Sequence, residues 1–158
     1  MKPFINLSEL EMISNEKDDF QSSYGVISER IGAKRLGYNL TIVAPGKKCC
    51  PFHNHHINEE AFFIIQGKGL LRFGDKEYQI KEHDVISCPP GGQEVAHQLI
   101  NNGSIDLKYL AISTKDNADI CEYPDSSKVF SMVGSYGNRT FTHISSLKEK
   151  LDYFEGEK

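Results

Sequence analysis

From Leu36 onward the chain alternates short apolar-rich runs with clusters of turn-forming residues. Side chains on a strand point to alternate faces, so this period of two marks half-buried strands. Seven are predicted, over residues 36–44, 60–65, 69–73, 77–80, 84–88, 96–100 and 107–113. Between them lie Pro45-Gly46, Gly67-Lys68-Gly69, Gly74-Asp75, Pro89-Pro90-Gly91-Gly92 and Asn101-Asn102-Gly103, all of which favour chain reversal. Seven short strands at such intervals predict a sandwich or barrel. The flanks read differently. The first 35 residues are mixed, with Ser8 and Glu11 spaced as a capping box for a short helix. Near the end, Ser146 and Glu149 repeat that spacing ahead of Leu147, Leu151 and Phe154, one apolar stripe of a short helix that would cover the barrel. Without internal repeats or low-complexity stretches, the chain divides as one domain: an N-terminal extension at 1–35, a barrel core at 36–115, and a tail at 116–158.

A chain of 158 residues suits one domain and buries roughly 68–70 % of its unfolded surface. Such a core needs no disulfide or metal staple, so any bound metal serves function. With 18 Lys and Arg against 22 Asp and Glu, the net charge is -4 and phosphate backbones gain no general attraction. Nucleic acid is therefore not an expected partner. Apolar runs such as residues 61–65 fall far short of the roughly 20 residues of a membrane span, and the start turns acidic where a signal peptide would be apolar. A cytoplasmic protein without a membrane partner is expected. Cys49 and Cys50 are adjacent, Cys88 and Cys121 are distant, and no Cys-x-x-Cys exists, so four free thiols acting as small apolar groups are expected.

The chemistry concentrates in residues 45–67. His53 and His55, two apart on a strand, share a face while Asn54 looks away. A short turn at 56–58 would let the next strand return a carboxylate to the same interior. This stretch resembles the first motif of the cupin superfamily: glycine, a gap, His-x-His, three or four residues, Glu, six residues, Gly. Glu60 satisfies both gaps, with six residues between it and Gly67, whereas Glu59 leaves seven and faces the other way. Residues 83–101 resemble the second motif, matching at Pro89-Pro90-Gly91 and in the spacing from His97 to Asn101. Two departures stand out. His83 replaces the opening glycine, at a cost of about 1 kcal/mol if the backbone keeps a positive φ there. Five residues instead of two separate Gly91 from His97, so Gly92 to Val95 should enlarge a turn at the barrel mouth.

The resemblance spans residues 36–114. The runs CPPGGQEVAHQLIN, KYLAIST and EYPDSSK are similar to small single-domain bacterial metallo-cupins assigned as sugar-phosphate isomerases. It implies an all-β fold, a double-stranded β-helix or jelly-roll barrel, here with short N- and C-terminal helical segments. It also implies a homodimer and one divalent metal held by His53, His55, Glu60 and His97. Imidazoles with one carboxylate suit Zn, which is placed first, and also Fe, Mn, Ni or Cu. One glutamate neutralises only one of the two metal charges, which favours a small anionic or enolate-forming ligand. Phe62 and Ile64 share the face of Glu60, and Leu99 shares that of His97, so these three are expected to line the substrate cavity. His56, His83 and His143 are expected to be exposed, Lys47 and Lys48 to form a solvated turn, and residues 123–126 a β-turn. Three functions stay open: an isomerase-type enzyme acting on a small polar or anionic metabolite, an iron-dependent dioxygenase, and a metallo-cupin that binds a metabolite without turnover.

Overall fold

The computed structural model describes residues 2–135 and 137–158. Thirteen strands form among them: β1 (Ile13–Lys17), β2 (Phe20–Val26), β3 (Leu36–Val43), β4 (Asn54–His55), β5 (Glu60–Gln66), β6 (Lys68–Phe73), β7 (Lys76–Lys81), β8 (Val85–Cys88), β9 (His97–Ile100), β10 (Leu107–Thr114), β11 (Ala118–Tyr123), β12 (Lys128–Ser135) and β13 (Asn138–Ser146). All seven predicted strands are present, each within one residue at either end.

One wall is a six-stranded antiparallel sheet in the order β1-β2-β3-β10-β5-β8. The other consists of two smaller sheets, β13-β12-β11-β4 and β7-β6-β9. A reciprocal backbone pair links them: His53 N–H donates to the His97 carbonyl at 3.2 Å, and His97 N–H to the His53 carbonyl at 2.7 Å. The two walls enclose a jelly-roll core of Val43, Phe62, Ile64, Leu71, Leu99 and Leu107, with Tyr109 and Cys88. Each large apolar side chain buried there contributes about 1.5–3 kcal/mol, so the barrel can hold itself together without a metal.

The flanks depart from expectation. β2 pairs with β3 from Ser22↔Val43 to Val26↔Asn39, and β11 pairs with β4, so sheet pairing extends to either side of residues 36–115. The N-terminal capping box is shifted two residues upstream, onto a 3₁₀ turn at Leu7–Glu9. There Asn6 Oδ1 accepts from Ser8 N–H at 3.0 Å, and Glu9 Oε1 accepts from Asn6 N–H at 3.1 Å. The expected C-terminal helix does not form: residues 147–158 contain only turns, with Leu151 83 % and Phe154 73 % exposed. Ser146, its intended N-cap, is instead held in β13 opposite Lys128. A stripe of three apolar residues on so short a segment does not sustain a helix without a surface to pack on. No described helix is long and apolar enough to cross a membrane.

Two turns carry backbone constraints. Gly67 has φ 88°, and a Cβ there would lie 2.6 Å from the Asp106 carbonyl oxygen, which is why the first motif ends on glycine. His83, standing where the second motif has glycine, does adopt φ 73°. His83→Gly should therefore raise the unfolding free energy by about 1 kcal/mol, while Gly67→Ala should lower it by more than that. Urea titrations of the two variants check both signs.

Candidate metal centre

Strand pairing brings the predicted residues together from three directions. His53 and His97 are direct cross-strand partners, so their side chains emerge side by side on the inner face, with ring centroids 4.7 Å apart. His55 shares the face of His53, and their centroids are 5.1 Å apart. Asn54, between them, points out of the barrel and is fully buried, its Nδ2 donating to the Gly91 carbonyl at 2.8 Å. Gly91 N–H returns a bond to the His55 carbonyl at 2.8 Å. The Pro-Pro-Gly loop of the second motif is thus clamped to the histidine strand of the first.

Glu60 arrives from the opposite wall, at the start of β5. Its Oε2 lies 3.0 Å from His97 Nε2, 3.4 Å from His55 Nε2 and 3.7 Å from His53 Nε2. All four predicted ligand positions therefore converge, with His97 only 2 % exposed. Glu59 is exposed and its N–H donates to Thr114 Oγ1 at 3.0 Å, as the parity argument expects. The extra residues before His97 are absorbed by a 3₁₀ turn at Gln93–Val95 and leave His97 inside. His53, Glu60 and His97 bring two ring nitrogens and a carboxylate oxygen close enough to hold a divalent metal, and His55 Nε2 lies 3.4 Å from the same Glu60 oxygen, while His55 also groups with Asp119 and Cys121. His56, His83 and His143 are exposed, and His56 pairs with Glu122 at 3.1 Å.

A cavity of about 460 Å³ meets this centre through His55 and Glu60. Its walls are mixed: Asn39, Asn58, Thr114 and Asp119 are polar, Val26, Tyr38 and Met132 add apolar surface, and Lys115 is held to Glu29 at 3.0 Å. Phe62, Ile64 and Leu99 are not among its lining residues. They do share the inner face, but deeper, where they pack into the apolar core; Phe62 sits edge-on to Tyr109 at 5.6 Å. Parity identifies the face a residue occupies but not its depth along the barrel.

β11 supplies what the sequence reading missed. Cys121 is the cross-strand partner of His55, and Asp119, two residues earlier, shares its face. Asp119 Oδ2 lies 2.5 Å from His55 Nδ1, and Cys121 Sγ lies 3.2 Å from the same nitrogen. Tyr123, two residues further on, stacks on His53 with centroids 6.2 Å apart.

The electrostatics follow from burial against pairing. Burial opposes the charge on Glu60, but His53, His55 and His97 hold its carboxyl well below the usual range. Asp119 is likewise opposed by burial and held low by His55 and Asn58. Burial disfavours the His55 imidazolium too, yet Asp119, Cys121 and Glu60 push its pKa up to about 12 in the metal-free chain. All four cysteines are free. Cys49 packs against the core, held below the ordinary thiol range chiefly by the Cys50 thiol beside it, while Cys50 is raised in turn. Burial and the charge of Glu60 push Cys88 up to about 12.

A pH profile follows for chelator-treated protein. Glu60 and Asp119 titrate lower when folded, so their stabilisation is present above the ordinary carboxylate range and is lost as pH falls through the folded values. His55 titrates higher when folded; its contribution is complete below about pH 6.5 and fades as pH rises toward the folded value. Denaturant midpoints measured from about pH 3 to 9 should therefore peak between roughly 4.5 and 6.5, and His55→Gln should flatten the alkaline limb. A wild-type midpoint that stays level from pH 6.5 to 9 would contradict the pairing.

Comparison with known proteins agrees with this architecture. Residues 39–113 match the family model for the cupin domain. An uncharacterized protein of Methanocaldococcus jannaschii is 31 % identical over 86 residues, a match taking in 54 % of this chain and 58 % of that protein's length. The crystal structure of a candidate sugar phosphate isomerase from Acidithiobacillus ferrooxidans superposes with a TM-score of 0.83 at 22 % identity, covering 96 % of both chains. That of a sugar phosphate isomerase of the cupin superfamily from Silicibacter pomeroyi gives 0.79 at 18 % identity, covering 96 % of this chain and 98 % of that one. Residues 39–113 thus match a cupin domain, and the barrel has the cupin fold.

Proposed function

We propose that His53, His55, Glu60 and His97 hold one divalent metal ion and that the chain is an isomerase-type enzyme acting on a small polar or anionic metabolite bound in the adjoining cavity. The observation that carries this reading is the approach of three imidazole Nε2 atoms to one half-buried Glu60 oxygen, at the wall of a cavity of about 460 Å³. Zn is the first choice of metal, with Fe, Mn and Ni as alternatives, because the donors are imidazole and carboxylate. When bound, such an ion supplies Lewis acidity toward a carbonyl or enediolate oxygen. The protein's part is to orient the ligand and keep the reacting end away from bulk water. His55 and Glu60 present the centre to the cavity, while Asn39, Asn58 and Thr114 offer polar groups along its walls. Lys34, Lys115 and Arg139 alternate there with Glu29 and Asp116, an arrangement suited to a hydroxylated ligand with one anionic end. The names of the two superposed structures point to sugar phosphates as the first substrates to try. Four free cysteines fit work in the reducing cytoplasm.

The test starts with metal analysis of protein purified without chelators or a nickel column, followed by thermal-shift screening of sugar phosphates. Exchange of substrate carbon-bound hydrogen with solvent deuterium would show turnover. Binding without exchange would leave a metabolite-binding cupin.

Glu60→Ala should lose most of the metal and Glu59→Ala should keep it, as read by elemental analysis after dialysis; equal loss would refute the assignment. Replacing Cys49, Cys50 and Cys88 by serine should leave metal content unchanged.

We also propose a homodimer. β1 is an edge strand exposed along its whole length, flanked by exposed Phe4, Leu7 and Met12. Light scattering at micromolar concentration should give twice the 17.8 kDa of one chain.

A further inference from the structure

Asp119 is 1 % exposed, and five N–H donors surround its carboxylate, with the Cys121 thiol 4.0 Å from Oδ2. Oδ1 accepts from the N–H groups of Ile57 at 3.1 Å, Asn58 at 3.5 Å and Ile120 at 2.9 Å. Oδ2 accepts from Asn58 Nδ2 at 2.7 Å and from His55 Nδ1. Asn58 is itself fixed, because its Oδ1 accepts from Thr114 Oγ1 and from Asp116 N–H, both at 3.0 Å.

Two consequences meet in this one side chain. The bonds to Ile57 and Asn58 shape the turn between β4 and β5, and that turn sets how Glu60 returns to His55. The bond to His55 requires the proton on Nδ1, since an ionised carboxylate only accepts. Nε2 faces Glu60, 3.4 Å away, and offers a metal its lone pair once its own proton has left. A metal can use that nitrogen only in this tautomer.

We propose that Asp119 is the positioning residue of the centre: it locks His55 in the Nδ1–H tautomer and folds the turn that presents Glu60, so a metal finds both ligands preformed. The proposal rests on the metal reading above. Cys121 Sγ, 3.2 Å from the same His55 nitrogen, is the rival holder, but a thiol is a weak acceptor and shapes no turn.

Asp119→Asn separates positioning from scaffolding. The amide oxygen can still accept the backbone bonds of the turn, whereas its Nδ2, facing both His55 Nδ1 and Asn58 Nδ2, can only donate. That favours a bare Nδ1 and a proton on Nε2. The variant should fold, shown by an unchanged far-ultraviolet circular dichroism spectrum, yet bind added Zn roughly 10- to 100-fold more weakly than wild type by calorimetry. Nitrogen-15 correlation spectra should show His55 protonated at Nδ1 in wild type, both metal-free and Zn-loaded, and bare at Nδ1 in metal-free Asp119→Asn. Cys121→Ser should keep the wild-type tautomer and bind Zn within about twofold. If Asp119→Asn does not fold, the wild-type tautomer and the Cys121→Ser affinity decide instead; a wild-type His55 protonated at Nε2 alone, or a Cys121→Ser protein with the larger loss, overturns the proposal. Asp119→Asn binding Zn as tightly as wild type also overturns it while leaving the metal reading intact. Wild-type protein that takes up no Zn refutes the metal reading itself.

Discussion

The paired backbone hydrogen bonds between His53 and His97 make one wall out of two small sheets, and the same bonds set two imidazoles side by side. Closing the barrel and assembling the centre are therefore one event. Register is strict here, because a slip of one residue on either strand would turn its histidine to the outer face. The clamp between Asn54, Gly91 and the His55 carbonyl guards that register from behind. The two motifs are far apart in sequence, and this contact explains why both are needed.

The barrel interior is divided along its length. Deep inside, Phe62, Ile64, Leu71, Leu99 and Leu107 form a dry core whose burial supports the fold. Toward the other end the same strands carry Glu60 and His97, and β11 adds Asp119. Burying such groups is costly unless each is paired, and here each is: Glu60 with three imidazoles, His55 with two carboxylates. The apolar half supplies the stability that lets the polar half concentrate charge without unfolding the chain.

This division also governs how much was legible beforehand. Glu60 could be told from Glu59 because parity and two gaps agreed, and His97 could be found because a short turn absorbs the extra residues before it. β11 was invisible to a search for apolar alternation because its inner positions, Asp119, Cys121 and Tyr123, face a polar centre. The strand that best serves the site is the one whose pattern looks least like a strand. Polar alternation against a known His-x-His is the signal that could have revealed it. β2 was missed for a related reason: Gln21, Ser22 and Ser23 dilute its apolar residues. The C-terminal helix failed in the opposite way, since an apolar stripe at helical spacing proved to have no surface beneath it.

Of the three imidazoles, His55 alone lines the cavity, and it is also the one with a carboxylate on each side. His53 and His97 are held by their own backbone neighbours, with ring nitrogens near the carbonyls of Pro51 and Val95. A carbonyl is a neutral acceptor whose place is set by the local chain, so those two rings are oriented by the strands that carry them. The orientation of His55 depends on Asp119, 64 residues away in sequence. Through Asn58, that carboxylate is tied to Thr114 and Asp116 on the cavity wall. The ring nearest the cavity is thus the one whose geometry is set by the cavity's own wall, and this is the physical route by which the shape of the cavity and the chemistry of the centre constrain each other.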